Sequence, residues 1–234
     1  MSDICNQVGL GEPATESGFN PEAAFTKHVP CSATGIDVYG LKQFQAVAFD
    51  FDGTLVDTLH LHYEAYRRVF ESMEVELTEN DFYENIGGKA TEAIPLFLRD
   101  RPAPLTISEI HARKKEVIVE LFRAAPLQVL PTARLLPIFH GTLPMALVSS
   151  GARPGILQLL ERLGWADFFD VLVTGEDTPR SKPDPMPYLL AAEKLGVSPE
   201  NIAAFEDTGA GLDSAKRSGM SVFDVGGNTI SQRR

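Results

Sequence analysis

An α/β fold, in the form of a doubly wound parallel sheet with a small helical cap inserted after strand one, is expected from three features of the chain. Short apolar runs recur, each ending in polar residues or glycine. Helical periods separate most of them. Between the first run and the second lie roughly a hundred residues of helical pattern, far too many for one crossover.

Residues 1–40 hold no sustained period and are dotted with Gly, Pro, Ser and Thr. Asp3, Glu12, Glu16, Glu22 and Asp37 make the segment acidic, and no arginine precedes Arg67. A transit peptide would be rich in arginine and poor in acids, and a signal peptide would carry an apolar stretch behind positive charge, so neither fits. The segment reads as a loosely ordered surface arm; a short helix around Pro21–Phe25 or a partner-binding role are the alternatives. The first strand is Ala46–Phe49, an apolar run ending at Asp50 with Gly53 just beyond, as a buried parallel strand entering a loop should look. Helical periods follow over Leu59–Ser72, Thr91–Leu98 and Ser108–Phe122, with a short piece near Glu79–Asn85. They define a helical cap over 59–128, with Pro102-Ala103-Pro104 inside it and Pro126 to Pro131 at its end. Strands then recur at Met145–Val148, Val171–Val173, Ile202–Phe205 and Ser221–Val225, alternating with helices over Ile156–Leu163, Pro187–Leu195 and Gly211–Ser218. Residues 41–58 and 129–234 therefore form the Rossmann-like core, and ligands of such folds bind where strand tips carry polar residues.

Composition narrows the function. The 234 residues, 44% hydrophobic and 23% charged, are those of an ordinary globular protein able to bury a core without disulfides. No run of about 18 uncharged apolar residues exists, so no membrane span is expected. A formal charge of −11 argues against nucleic acid and anionic membrane surfaces, because phosphate backbones need clustered Lys and Arg. An anionic substrate would have to be attracted by a local site or a bound metal. Cys5 and Cys31 are the only cysteines, which leaves no disulfide framework and no cysteine metal site, and fits a reducing compartment such as the cytoplasm.

Polar clusters fall at four strand ends. Asp50-Phe51-Asp52-Gly53-Thr54-Leu55-Val56-Asp57-Thr58 places two carboxylates where both can face the crevice, one able to act as nucleophile and the other as general acid and base. Gly53 permits the sharp turn. Ser149-Ser150-Gly151 offers a hydroxyl and loop amides that can bind phosphate oxygens. Ser181-Lys182-Pro183-Asp184-Pro185 holds an ammonium on a stiff backbone, and Glu206-Asp207-Thr208-Gly209 is a second acid pair. Each cluster alone is compatible with a plain surface loop. Acids at two tips, with a hydroxyl and a lysine at two more, form a set. Carboxylates with oxygen-only donors suit Mg²⁺, and the metal, lysine and hydroxyl together would neutralise a phosphoryl group in transfer.

In order and spacing these four motifs resemble those of the haloacid dehalogenase superfamily, and the helical insert resembles the cap of its β-phosphoglucomutase-like branch. The resemblance covers about residues 44–226. It implies that Asp50 forms an aspartyl-phosphate while Asp52 protonates the leaving oxygen and then activates water. It implies Mg²⁺ on the Asp50 carboxylate, the Asp52 carbonyl and the Asp207 carboxylate, with Glu206 orienting its water shell. Ser149 and Lys182 would hold the phosphate with amides near Phe51, Ser150 and Gly151. The dehalogenases of the superfamily lack the second aspartate, so Asp52 argues against that chemistry.

Substrate contacts implied by the branch are Thr58, His62, Gly87 and Lys89. A helix-packing histidine is the alternative for His62, and a solvated lysine in a turn for Lys89. His60 is expected to face solvent. The run Gly87-Gly88-Lys89 is no nucleotide P-loop, because Tyr83 stands where that motif needs glycine. Where β-phosphoglucomutase carries an arginine for a second phosphate, this chain has Ala90, which favours hydrolysis over mutase chemistry. Trp165, Phe168 and Phe169 read as core, and Arg113-Lys114-Lys115 as a solvated face opposite Ile110, Val117 and Leu121. Arg180 could line the entrance. The expected function is thus a Mg²⁺-dependent phosphatase of a small phosphorylated sugar or sugar acid, similar to enzymes acting on fructose 1-phosphate or 6-phosphogluconate. A phosphosugar mutase, or a phosphatase for a metabolite such as phosphoglycolate, is the alternative. A monomer is expected, since the cap already covers the active-site mouth.

Overall fold

The computed structural model describes residues 40–86, 90–226 and 231–233, so the expected arm over 1–39 and the expected contacts Gly87 and Lys89 lie outside the described residues. Strand β1 (Ala46–Phe49) leads through a tight loop to β2 (Val56–Asp57) and then to four helices: α1 (Leu59–Glu71), α2 (Glu79–Asn85), α3 (Ala90–Leu98) and α4 (Ile107–Ala124). The chain returns through β3 (Gln128–Val129) and α5 (Leu136–Phe139). It then alternates as β4 (Met145–Val148), α6 (Arg153–Leu163), β5 (Val171–Val173), α7 (Met186–Leu195), β6 (Ile202–Glu206), α8 (Gly209–Arg217) and β7 (Ser221–Asp224), and β8 (Ser231–Arg233) follows. The sheet order is β5-β4-β1-β6-β7-β8. The pairs through β7 are parallel, and β8 closes the edge antiparallel.

Alternation within each strand builds two different faces, because successive side chains point oppositely. Ala46, Ala48, Ala146 and Ala204 face one layer, where their small side chains let Tyr188 and Ala191 of α7 sit close. Val47, Phe49, Leu147 and Phe205 face the other, with Trp165, Ile156 and Leu159. There Phe49 stacks on Phe205 at 4.8 Å between centroids, and Phe205 on Phe223 at 5.1 Å. Trp165 is buried as expected, and Phe168 and Phe169 pack partly buried against the same cluster.

Helices α1–α4 enclose a separate apolar cluster that includes Tyr66, Phe70, Phe82, Ile94, Phe97 and Ile110. Thr106 and Glu109 form a capping box that starts α4. The insert joins the sheet through β2 and β3, which pair antiparallel with Val56 opposite Val129 and Asp57 opposite Gln128. Its last helix is tied down again by α6, where Arg162 donates to the Phe122 carbonyl at 2.7 Å and Gln158 to that of Val119 at 3.3 Å. Among the described residues no helix is long and apolar enough to cross a membrane.

Candidate functional site

Strands β4, β1 and β6 deliver three of the polar clusters to one end of the sheet, and the loop after β5 brings the fourth, which carries Lys182. Asp50, the first residue after β1, is buried and accepts a hydrogen bond from Lys182 Nζ at 2.6 Å. The same ammonium donates to the Val148 carbonyl at 2.9 Å and to Oε1 of Glu206. Its three protons are therefore all engaged, and the ring of Tyr188 lies 5.1 Å away. Opposite charges outweigh burial, so the Lys182 pKa is raised.

Glu206, the last residue of β6, has no exposed surface. Its Oε1 accepts from the Tyr188 hydroxyl at 2.8 Å as well as from Lys182, while Oε2 accepts the N–H of Asp207 at 3.2 Å and the Thr208 hydroxyl at 3.3 Å. Room for this carboxylate comes from Gly211 in the first turn of α8: a Cβ there would lie 2.0 Å from the Glu206 carboxyl carbon. Gly53 makes a similar allowance for Asp207, with φ at +88° and a Cβ position 2.2 Å from Oδ2. The Thr54 hydroxyl donates to the other oxygen of Asp207 at 2.9 Å.

Asp50, Glu206 and Asp207 bring ligand oxygens within 4.8 Å of one another. Burial and the neighbouring carboxylates push the Asp50 pKa well up and raise that of Asp207 to about 6. Among the described residues Lys182 is the one ammonium placed among these three acids, so negative charge is left over. A hard divalent cation with oxygen ligands would offset that surplus, and the donor set fits one. Lys182 and Tyr188 already use one oxygen of Glu206, so the set offers Asp50 and Asp207 as its more open carboxylates.

Asp52 points into a different environment. Its Oδ1 accepts the Thr58 hydroxyl at 2.5 Å and lies 3.3 Å from His62 Nε2, while Oδ2 accepts Ser149 Oγ at 3.3 Å. Burial works against its ionisation, but His62, Thr58 and Lys114 outweigh it and hold the pKa at about 2. Ser149 Oγ in turn accepts the N–H of Gly151 at 2.9 Å, which fixes the turn after β4; Ser150 in that turn is exposed.

Thus Asp50, Asp52, Thr58, His62, Ser149, Gly151, Lys182, Glu206 and Asp207 all belong to one constellation. The expectation of a solvated Arg113-Lys114-Lys115 face is corrected at its middle residue. Lys114 is 8% exposed, with Nζ 2.8 Å from His62 Nδ1 and 5.2 Å from the centroid of the Tyr66 ring. The reason is helical phase: Ile110, Lys114, Ile118 and Leu121 form one buried row. Arg180 is engaged by Asp184 at 3.1 Å, and His60 is exposed as expected. Tyr188, Thr54 and Lys114 are partners that motif reading does not find.

Known proteins of similar sequence can be set beside this geometry. Residues 44–219 match the haloacid dehalogenase-like hydrolases. A phosphorylated carbohydrates phosphatase from Thermotoga maritima is 34% identical over 185 residues, covering 75% of this chain and 82% of that protein. The fructose-1-phosphate phosphatase YqaB from Escherichia coli is 29% identical over 79% of this chain and 97% of its own length. The crystal structure of a CbbY variant from Rhodobacter sphaeroides in complex with xylulose-(1,5)bisphosphate superposes with a TM-score of 0.73 at 30% identity. It covers 80% of this chain and 88% of that one.

Proposed function

The chain belongs to the haloacid dehalogenase-like hydrolases, and on that premise we propose a Mg²⁺-dependent phosphatase that cleaves a small phosphorylated sugar or sugar acid through an aspartyl-phosphate. The observation that carries the reading is the separation of two carboxylates only two residues apart. Asp50 faces Lys182 and the acids of β6, whereas Asp52 faces Thr58, His62 and Ser149. Carboxylates held in contrasting surroundings can take different roles in one reaction.

Asp50 is the nucleophile: its oxygen attacks phosphorus as the ester P–O bond breaks. The leaving oxygen takes its proton from Asp52. An incoming phosphate dianion raises the proton affinity of Asp52 from its low resting value by like-charge repulsion, which readies it as the acid. In the second half, water attacks the phosphorus and gives its proton to Asp52, and the Asp50–phosphorus bond breaks to release inorganic phosphate. Ser149 turns its proton from Asp52 to a phosphate oxygen, the amides of Ser150 and Gly151 lie beside it, and Lys182, whose protons stay on Asp50, Val148 and Glu206, offsets the phosphate by its charge. Asp50, the Asp52 carbonyl and Asp207 would hold Mg²⁺, with Glu206 beside them, and the ion supplies electrostatic stabilisation of the phosphoryl oxygens.

Lys114 acts through His62. An ammonium only donates, so the pair fixes His62 with a lone pair on Nδ1 and the proton on Nε2, which donates to Asp52. Thr58 and His62, together with Gly87 and Lys89 outside the described residues, are the proposed substrate contacts. Sugar phosphates are favoured because the relatives from Thermotoga maritima and Escherichia coli carry those substrates in their names. The test is phosphate release across a panel of phosphorylated sugars, sugar acids and phosphoglycolate, with Mg²⁺ and with chelator. Metal-dependent release from sugar esters is expected. Isomerised sugar phosphate without free phosphate would overturn hydrolysis in favour of a mutase.

A further inference from the structure

The hydroxyl of Ser149 is aimed by the turn that follows it, and the loop after β5 holds that turn from outside. Ser149 Oγ accepts the N–H of Gly151 at 2.9 Å and donates to Asp52 Oδ2 at 3.3 Å. Alongside, Thr174-Gly175-Glu176-Asp177 forms a turn closed by the Asp177 N–H on the Thr174 carbonyl at 3.0 Å. Two backbone bonds join the turns: the Ser149 N–H donates to the Val173 carbonyl at 2.9 Å, and the Gly175 N–H to the Gly151 carbonyl at 3.0 Å. Thr174 is buried, and Oδ2 of Asp177 accepts both its N–H at 2.7 Å and its hydroxyl at 2.8 Å. On the other side of Gly175, Glu176 accepts the Arg153 N–H at 2.8 Å. The loop is thus anchored before and after its glycine.

Space, not rotation, demands a glycine at 175, because its φ lies outside the left-handed region. A Cβ there would lie 2.6 Å from the Ser150 carbonyl oxygen, 3.4 Å from the Ser150 carbonyl carbon and 3.4 Å from the Gly151 carbonyl oxygen. All three atoms are backbone, so no side-chain rotation relieves the overlap. The first two belong to the peptide unit that carries the Gly151 N–H. That unit is planar and trans, so its C=O and N–H point in opposite directions. Pushing on the oxygen therefore tilts the N–H away from Ser149 Oγ. Gly151 is confined from its own side as well, since a Cβ there would lie 3.1 Å from Ser149 Oγ.

We propose that Gly175 is a positioning residue: its bare α-carbon lets the β5 loop lie against the Ser150–Gly151 peptide and so sets the direction of the Gly151 N–H and of the Ser149 hydroxyl. The proposal deepens the phosphatase reading above and rests on it for the effect on turnover. With the Gly151 N–H on one lone pair of Ser149 Oγ, the hydroxyl proton is left to point towards Asp52, where a phosphate oxygen would arrive. None of the three crowded atoms belongs to Asp50, Lys182 or the acids of β6, so the loss in a Gly175 variant falls on phosphate capture.

The test uses the full chain with Mg²⁺, as wild type, Gly175→Ala, Ser149→Ala and the double variant. Its readouts are the Kd of inorganic phosphate by calorimetry, kcat and KM for fructose 1-phosphate, and hydrogen exchange of the Gly151 amide by NMR. Gly175→Ala is expected to speed Gly151 exchange about tenfold, to raise the phosphate Kd about tenfold, and to raise KM more than it lowers kcat. In the Ser149→Ala background the same methyl should change the phosphate Kd by less than about twofold, since the hydroxyl through which it acts is gone. Asp177→Ala slackens the loop without any overlap. It should move all three readouts severalfold in the same direction, and it carries the test if Gly175→Ala does not fold. Gly151 exchange within about twofold of wild type overturns the proposal. So do equal losses of phosphate affinity with and without Ser149, which would make Gly175 a packing residue only. A wild type that neither binds nor releases phosphate overturns the phosphatase reading instead, and Gly151 exchange still decides the role of Gly175.

Discussion

Lys114 and His62, 52 residues apart in the chain, meet at 2.8 Å between Nζ and Nδ1, so that a lysine of α4 sets the tautomer of a histidine on α1. Burial drives the Lys114 pKa from 10.5 down to about 8. Below pH 8 the ammonium is present in both folded and unfolded chains and the folded protein bears its desolvation. Between about 8 and 10.5 the folded chain sheds the proton first, and stability recovers. Lys114→Met is therefore expected to raise unfolding free energy at pH 7 by about 1–3 kcal/mol and to do so less at pH 10. Turnover should fall by about tenfold to a hundredfold as His62 loses its orientation. Urea melts at the two pH values, with steady-state kinetics, check both. A melt weakened at pH 7 counts against the assignment.

Asp50→Asn should abolish turnover, by about a thousandfold or more, with the fold intact. Because burial and neighbouring carboxylates disfavour the Asp50 charge, the neutral amide should not lower the melting temperature at pH 7 in the absence of metal. Phosphate release and circular dichroism on the same sample separate the two effects; activity near wild type sinks the nucleophile assignment.

Metal should stabilise the protein in a pH-dependent way. Asp207 titrates near 6 in the fold against 3.8 ordinarily. A carboxylate with a raised folded pKa contributes its full stability below about pH 4 and loses it as pH rises through 6, an effect of about 2–3 kcal/mol. Mg²⁺ competes with that proton, so the rise in melting temperature that it brings should be larger at about pH 7.5 than at pH 5, and chelator should erase it. Equal increments at both pH values would remove Asp207 from the ligand set.

Alanine in place of a glycine inside a helix ordinarily gains about 1 kcal/mol. At position 211 the sign should reverse, because the new methyl would overlap the Glu206 carboxylate, itself fixed by Lys182 and Tyr188. Gly211→Ala is expected to lose about 2–4 kcal/mol, and urea denaturation beside an Ala control at exposed Gly209 measures it.

Much of the sheet and most of the constellation can be read from the chain because each buried strand is a pure apolar run that stops at a polar tip. Ala46–Phe49 and Asp50 show both signals in five residues. The pieces that escape such reading lack a local signal. Strands of two residues, Val56–Asp57 and Gln128–Val129, are too short to show a period, and their pairing spans the whole insert. Tyr188 looks like another apolar member of α7, and only the folded arrangement reveals its hydroxyl on Glu206. Lys114 is a different case. Its place four residues from both Ile110 and Ile118 was visible, but a charge between two other basic residues outweighs phase in a reading by composition. Glu176 and Arg153 are likewise joined only by tertiary structure.

The pairing of β2 with β3 means that the two crossings into the helical insert are bolted into one strap instead of running as two free tethers. Thr58 follows directly on β2, and His62 lies in the first turn of α1. Swinging the insert outward about that strap would have to break the bonds from Arg162 and Gln158 to α4, and it would draw His62 off Asp52 while Asp50 stayed gripped by Lys182 below. An open molecule would then also be an idling one, its proton carrier disengaged until the lid comes down.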